Sequence, residues 1–245
     1  MEADLTMDGS PIRAAAGAGP LVKICGVTRA EDAALAARLG AWAVGLVFAE
    51  SPRRVKPAQA RILAAAARMA AAPGTPEPVI VGVFVDEPAE AIAALAVEVE
   101  LDAVQLHGAR PGAEAVRTVL AERLPDLLMI QAVAVPADGA GPAALRAAAA
   151  ETARGAGMLL FDTRSGGRFG GTGIPFPWAL AREAADGTPF LVAGGLGPGN
   201  AAEALRVSGA VGIDVSSGVE SSPGIKDAAL LRALFGSLVR KEEAR

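Results

Sequence analysis

The sequence has very few of the residues on which several common kinds of site depend. Its 245 residues include one cysteine, Cys25, and one histidine, His107. A single cysteine excludes an intramolecular disulfide and favours a reduced, cytoplasmic setting. One histidine and one cysteine also argue against a zinc site built from these two residue types. We therefore expect no metal.

Long apolar runs and clusters of basic residues are also missing. No stretch approaches about 18 uncharged apolar residues, so we expect no membrane span. The N-terminus carries Glu2, Asp4 and Asp8 where a signal peptide would carry basic residues. The formal net charge is −4, with no basic patch, which argues against nucleic acid as a partner.

The chain is long enough and apolar enough for one large domain. Its apolar fraction is 52%, so a substantial core is available. Residues 1–20 are rich in Ala, Gly, Pro and charged residues, and we expect them to form a flexible leader with no function of their own. Residues 21–245 are expected to form a single catalytic domain.

Short apolar runs alternate with helical patterns throughout that domain. The runs predict eight strands, at residues 21–25, 43–48, 79–85, 103–106, 127–133, 158–162, 190–193 and 211–215. They are continuously apolar, as expected for parallel strands that are buried on both faces. Eight such βα units predict an α/β fold of one closed (β/α)8 TIM barrel. A doubly wound open sheet is the alternative, but no Gly-x-Gly-x-x-Gly turn follows the first strand.

Glycine-rich loops follow the last two predicted strands. Gly194 and Gly195 follow the seventh strand, and Ser216, Ser217 and Gly218 follow the eighth. Glycines let backbone N–H groups approach an anion closely, and serine hydroxyls add further donors. The loops after strands 7 and 8 are a frequent phosphate site in TIM barrels, so we expect phosphate binding here. Two ordinary βα turns are the alternative.

The first strand ends in two residues that suit proton transfer. Lys23 and Cys25 are two residues apart and therefore share a face of the strand. A thiolate can act as a base, and the neighbouring ammonium is expected to lower the thiol pKa below its usual value of about 8.5. A buried, inert Cys25 and a structural ion pair of Lys23 are the alternatives. Thr28 and Glu31 then predict a capping box at the start of the first helix.

Asp162 closes the sixth strand and precedes a glycine-rich loop at residues 164–173. A carboxyl group beneath a closing loop can have a raised pKa and donate a proton. A helix cap or an arginine partner is the alternative for Asp162. Because Cys25 and Asp162 follow different strands, they suit a base and an acid that act on two ends of one small substrate.

Other polar residues at strand ends are candidates for substrate binding. Arg53 can make a planar, two-point contact with a carboxylate. Gln105 and His107 share a face of strand 4. His107 can be catalytic, a binding donor or a packing residue, with packing or hydrogen-bond support favoured. Asp214 can accept a hydrogen bond from a substrate hydroxyl, or it can orient the serine loop beside it.

Eight short motifs together resemble one known enzyme family. They are KICGVT at 23–28, SPRRV at 51–55, VGVFV at 81–85, VQLHG at 104–108, FDT at 161–163, GGTG at 170–173, AGGLGPGNA at 193–201 and DVSSGVESSPGIKD at 214–227. In this order they resemble the phosphoribosylanthranilate isomerases of tryptophan biosynthesis, from about residue 21 to the C-terminus.

The resemblance implies an activity and roles for several residues. The family isomerises N-(5-phosphoribosyl)anthranilate to 1-(2-carboxyphenylamino)-1-deoxyribulose 5-phosphate, by an Amadori rearrangement without a cofactor. By this resemblance Cys25 is the general base, Asp162 is the general acid and Arg53 contacts the anthranilate part. The two glycine-rich loops are then the phosphate site.

Other functions remain open from the residues alone. Another phosphosugar-binding TIM-barrel enzyme and a non-catalytic phosphate-binding barrel are the alternatives. For the isomerase we expect a cytoplasmic protein, with a monomer favoured over a homodimer because no apolar helix face stands out as surplus.

Overall fold

The computed structural model describes residues 19–107, 113–136, 141–153, 156–165, 168–169 and 178–239. Most of the predicted leader, at residues 1–18, lies outside this part of the chain. So does much of the loop predicted after Asp162, at residues 166–167 and 170–177, which includes the GGTG motif.

Within the described residues, eight parallel strands form a closed barrel. They are β1 (Leu21–Cys25), β2 (Ala43–Val47), β3 (Val79–Val85), β4 (Ala103–His107), β5 (Leu128–Pro136), β6 (Met158–Ser165), β7 (Phe190–Val192) and β8 (Gly212–Val215). Each strand pairs in parallel with the next one along the chain, and β8 pairs with β1. The predicted (β/α)8 barrel is confirmed, and this closure excludes the doubly wound open sheet.

Each barrel strand is followed by a helix in the described part of the chain. The helices are α1 (Ala30–Arg38), α2 (Pro57–Met69), α3 (Ala89–Val99), α4 (Ala113–Arg123), α5 (Pro142–Ala153), α6 (Ala179–Ala184), α7 (Ala201–Ser208) and α8 (Ala228–Val239). Pro57 opens α2 because its ring fixes a helical φ and it needs no N–H partner there. None of these helices is both long enough and apolar enough to cross a membrane.

The predicted capping box at the start of α1 is wrong. Arg29 is the residue before the helix, and no side chain caps the helix end. The hydroxyl of Thr28 instead donates a hydrogen bond to the carbonyl oxygen of Gly224, at 2.6 Å. It thereby ties the loop after β1 to a short hairpin after β8, formed by strands Glu220–Ser222 and Ile225–Lys226.

Alternation along β1 separates the interior of the barrel from its outer layer. Val22 and Ile24 pack in the cluster shared with the helices, whereas Leu21 packs in the smaller interior cluster. By the same alternation, Lys23 and Cys25 point into the barrel. The interior therefore changes along β1, from an apolar layer at Leu21 to a polar layer at the carboxyl end of the strand.

The barrel tolerates no side chain where Gly212 meets β1. Gly212 pairs with Leu21 in the strand register, and a Cβ at Gly212 would overlap the carbonyl oxygen of Leu21. We expect Gly212→Ala to lower the free energy of unfolding by about 1–3 kcal/mol, because the crowded neighbour is backbone. Denaturant unfolding followed by circular dichroism measures this change.

Gly236→Ala in α8 is the matched control, since nothing lies within 4 Å of a Cβ built there. That variant should match the wild type or be more stable by about 0.5–1 kcal/mol. Equal stabilities of the two alanine variants would show that the Gly212 contact does not constrain the barrel.

Candidate active site

A cavity of about 1060 Å³ opens at the carboxyl ends of the barrel strands. All but one of the predicted site residues line it: Cys25, Arg53, Gln105, His107, Asp162, Gly194, Gly195, Asp214, Ser216 and Ser217. The remaining one, Gly218, packs against the loop after β7. The structure thus brings the sequence-predicted residues together in one place.

A second cavity, of about 590 Å³, lies near the amino ends of β3 and β5. Its lining includes Arg68, whose guanidinium lies 3.1 Å from the carboxylate of Asp102. None of the predicted site residues contributes to this lining. The candidate active site is therefore the larger cavity.

Gly45 makes room for the thiol of Cys25. The two residues are register partners on β2 and β1. A Cβ built on Gly45 would lie 2.9 Å from Sγ of Cys25 and 3.1 Å from Nζ of Lys23. A side chain at Gly45 would therefore crowd both groups, which occupy the same corner of the cavity.

Lys23 is fully buried and forms an ion pair with Asp214. Its Nζ lies 3.0 Å from Oδ1 of Asp214, and the register of β1 with β8 places the two residues side by side. Burial lowers the pKa of Lys23, but the charges of Asp214 and Cys25 outweigh burial, so the pKa is raised overall. Lys23 therefore stays charged, and the ion-pair alternative for this residue is confirmed.

The predicted lowering of the Cys25 pKa is wrong. Burial is the largest effect and raises the pKa of the thiol. The charges of Lys23 and Lys226 lower the pKa and that of Asp214 raises it, and the net result is a pKa above the usual value. The sequence shows the neighbouring ammonium, but it shows neither the depth of burial nor the carboxylate that offsets the ammonium.

Gln105 and His107 form a neutral, hydrogen-bonded pair in the cavity wall. Nε2 of Gln105 and Nε2 of His107 are 2.5 Å apart, and both residues are buried. Burial, followed by the positive charge of Lys23, lowers the pKa of His107 to about 3. His107 is therefore neutral at neutral pH and can act as a hydrogen-bonding group but not as a cation.

Asp162 reaches the cavity from another side of the barrel. It lies on β6, and β7 and β8 separate that strand from β1 on the shorter way around. The residue is 8% exposed, as is Cys25. A small molecule in the cavity can thus meet a thiol and a carboxyl group on different faces.

The two glycine-rich loops pack directly against each other. Gly194 and Gly195 have φ angles of +89° and +64°, in the left-handed region that favours glycine. A Cβ on Gly218 would overlap the carbonyl oxygen of Leu196 and would lie 3.2 Å from Cα of Gly197. The backbones of the two loops therefore come together at the edge of the cavity, as an anion site requires.

Asn200, which the sequence analysis did not single out, fixes the loop after β7. Its Oδ1 accepts a hydrogen bond from the N–H of Gly197 at 2.9 Å, and its Nδ2 donates to the carbonyl oxygen of Gly195 at 3.0 Å. Asparagine commonly hydrogen-bonds nearby backbone in turns. The loop is thus held in shape by the residue that precedes α7.

Behind the cavity lie two buried charged residues that sequence reasoning missed, Glu220 and Lys226. Arg53 donates from Nε and Nη2 to the two carboxylate oxygens of Glu220, at 2.8 and 2.7 Å. Lys226 donates from Nζ to Glu220 at 2.8 Å, to the carbonyl oxygen of Cys25 at 2.6 Å and to that of Ser216 at 3.1 Å. The Pro-Gly pair at 223–224 is the sequence signal for the hairpin that sets Glu220 opposite Lys226.

No metal-binding group of three or more histidine, cysteine, aspartate or glutamate residues occurs in the described ranges. The lining of the cavity supplies a thiol, carboxyl groups and hydrogen-bonding side chains, which suit acid–base chemistry.

The titration of Cys25 can be followed directly, because it is the chain's only thiol. We expect thiolate absorbance in the folded protein to appear at higher pH than in the unfolded chain, since burial raises the pKa. A Cys25→Ser variant supplies the background. A midpoint at or below that of the unfolded chain would contradict this description of the site.

Comparison with known proteins identifies the family. Residues 22–237 match the family model described as N-(5'phosphoribosyl)anthranilate (PRA) isomerase. A relative from Roseiflexus sp. (strain RS-1), named N-(5'-phosphoribosyl)anthranilate isomerase, is 39% identical over 216 residues, which are 88% of this chain and 96% of the relative.

Solved structures agree with this match. The crystal structure of phosphoribosyl anthranilate isomerase from Thermus thermophilus is 36% identical with a TM-score of 0.72, covering 90% of this chain and 98% of that one. A second such isomerase, solved in complex with reduced 1-(o-carboxyphenylamino)-1-deoxyribulose 5-phosphate, is 33% identical with a TM-score of 0.70, covering 89% and 98%. The fold, the motifs and these matches agree, and the chain belongs to the N-(5'-phosphoribosyl)anthranilate isomerase family.

Proposed function

We propose that Cys25 and Asp162 perform the proton transfers of this isomerisation, with Cys25 as the base and Asp162 as the acid. The chain converts N-(5'-phosphoribosyl)anthranilate to 1-(2-carboxyphenylamino)-1-deoxyribulose 5-phosphate, an aldose–ketose isomerisation in tryptophan biosynthesis. One observation supports the assignment above the others: the only thiol and a buried carboxyl group line the same cavity from different strands.

The proposed reaction uses each group in turn. Asp162 protonates the ring oxygen of the furanose, and the ring opens to an iminium ion. The thiolate of Cys25 then removes the proton from C2′, which gives an enolamine that tautomerises to the ketone. Lys23, which shares the corner of the cavity made by Gly45, favours the thiolate through its positive charge.

The phosphate group of the substrate is proposed to bind between the two glycine-rich loops. Gly194 and Gly195 offer backbone from one loop, and Ser216, Ser217 and Gly218 offer backbone and hydroxyl groups from the other. Binding energy from a phosphate that is remote from the reacting carbon can hold that carbon in place for proton transfer.

The anthranilate end of the substrate is proposed to lie towards Arg53. Arg53 lines the cavity, and its guanidinium suits the carboxylate of the aromatic ring. Gln105, His107 and Asp214 are proposed to form the wall that contacts the sugar, with His107 acting as a neutral hydrogen-bonding group. The solved relative with a reduced product analogue supports a ligand of this kind in the cavity.

We expect Cys25→Ala to lower kcat by about 10²–10⁴-fold with a modest change in KM, because a general base acts in the transition state. Asp162→Asn should lower kcat to a similar extent, since the amide cannot supply the proton. The decay of anthranilate fluorescence, with substrate generated in situ, measures both variants.

Asp186→Asn is the control for the carboxyl change, because Asp186 is exposed and its left-handed backbone, φ +45°, suits asparagine equally well. Wild-type turnover in either active-site variant would remove that residue from the mechanism.

The oligomeric state and compartment are further proposals. We propose a monomer that acts in the cytoplasm, in keeping with the single cysteine. The most exposed large apolar side chains in the described residues, Met69, Val97 and Ile62, lie on α2 and α3, and they mark the surface that a dimer would bury. Sedimentation velocity at micromolar concentration should give a single species with the mass of one chain; a species of twice that mass would contradict the proposal.

A further inference from the structure

Arg53 and its partner Glu220 stand in different positions relative to the cavity. The Arg53 side chain is 23% exposed and lines the cavity. The Glu220 side chain is 4% exposed and is not part of the lining. Glu220 therefore lies behind Arg53, and its direct contact with the cavity lining is through that guanidinium.

The contact between the two residues fixes the plane of the guanidinium. Two parallel hydrogen bonds, of 2.8 and 2.7 Å, join Nε and Nη2 of Arg53 to the two oxygens of Glu220. Such a two-point contact restrains both the position and the rotation of the guanidinium. It uses two of the five N–H donors of an arginine, so donors remain for a ligand carboxylate.

Glu220 is itself held by a further positive charge and by backbone. Its Oε1 accepts hydrogen bonds from Nζ of Lys226 at 2.8 Å and from the N–H of Gly224 at 3.2 Å. Burial raises the pKa of Glu220, but the hydrogen bonds and charges of Arg53 and Lys226 outweigh it and lower the pKa overall. Glu220 is therefore ionised at neutral pH.

Lys226 keeps this group of charges attractive to an anion. Its ammonium has three N–H donors, and three acceptors surround it, namely Glu220 and the carbonyl oxygens of Cys25 and Ser216. Burial lowers the pKa of Lys226 overall, although the hydrogen bond and the charge of Glu220 oppose this shift. With Lys226 in its ammonium form, Arg53 and Lys226 carry two positive charges against one negative charge on Glu220, a net charge of +1. Without Lys226, Glu220 would cancel the charge that Arg53 offers.

We infer that Glu220 is a positioning residue that orients Arg53 towards the carboxylate of an aryl carboxylate substrate, while Lys226 compensates its negative charge. The inference rests on the proposed function, in which Arg53 binds the anthranilate end. Because the guanidinium is already ordered, binding of the carboxylate loses less side-chain freedom, and the site favours an anionic aromatic ring over a neutral one.

A double-mutant cycle on Arg53 and Glu220 tests this inference. Glu220→Gln keeps the shape of the side chain but sets an amide N–H₂ against the donors of Arg53. We expect it to raise KM by about 10- to 100-fold, as for a lost charge-assisted hydrogen bond, with a smaller change in kcat. In an Arg53→Ala background the same change should have no further effect on KM, because Glu220 acts through Arg53.

Inorganic phosphate, used as a competitive inhibitor, separates positioning from general damage to the site. Its inhibition constant should stay at the wild-type value in Glu220→Gln, since phosphate is proposed to bind the glycine-rich loops and Lys226 keeps its bonds to the carbonyl oxygens of Cys25 and Ser216. Glu203→Gln is the matched control, because Glu203 is an exposed residue of α7. That control should leave KM and kcat unchanged.

Each other outcome overturns a specific claim. An unchanged KM in Glu220→Gln, with a raised KM in Arg53→Ala, overturns the positioning role but leaves the proposed function intact. An unchanged KM in Arg53→Ala overturns the role of Arg53 itself. If Glu220→Gln also weakened inhibition by phosphate, or if the effects of Glu220→Gln and Arg53→Ala on KM were additive, Glu220 would have a general structural role and not a positioning role. If Glu220→Gln does not fold, Glu220→Asp replaces it, and a wild-type KM in that shortened variant overturns the inference.

Discussion

The buried ammonium of Lys226 is the contact on which the geometry of the active site depends. It joins the carbonyl oxygen of Cys25, the carbonyl oxygen of Ser216 and the carboxylate of Glu220. A buried charge is costly unless all its donors are paired, so none of these partners can move away without leaving the charge unsatisfied. The proposed base, the phosphate loop and, through Glu220, the guanidinium of Arg53 are thus held in one arrangement.

The second buried lysine shapes the chemistry of the thiol. Lys23 is paired with Asp214, so the carboxylate offsets part of the charge that the ammonium brings to Cys25. Together with burial, this raises the pKa of the thiol. A thiolate with a raised pKa is scarcer but more basic, and a stronger base suits the removal of a proton from carbon. The barrel interior therefore makes the Cys25 thiolate a stronger base, while a smaller fraction of the thiol is ionised in the unliganded protein.

Much of the fold and of the cavity lining follows from the sequence for a clear physical reason. Parallel strands buried on both faces are continuous apolar runs, so the strand at 79–85 is predicted with the bounds that the structure has. Once a closed barrel is inferred, residues such as Cys25 and Asp162 must share one end of it.

Contacts between distant segments of the chain cannot be predicted in this way. Arg53 and Glu220 are 167 residues apart, and Lys226 lies 201 residues from Cys25, so no local pattern reveals these bonds or the burial that sets the thiol pKa.

A crystal structure of the protein with bound 1-(2-carboxyphenylamino)-1-deoxyribulose 5-phosphate is the most direct test of this account. We expect the phosphate to lie between the loops after β7 and β8, with C2′ within about 3.5 Å of Sγ of Cys25, as a near-attack arrangement requires. The Asp162 carboxyl group should lie on the other side of the opened sugar. A phosphate bound elsewhere, or a C2′ atom out of reach of Cys25 with Asp162 beside it instead, would contradict the assignment of base and acid.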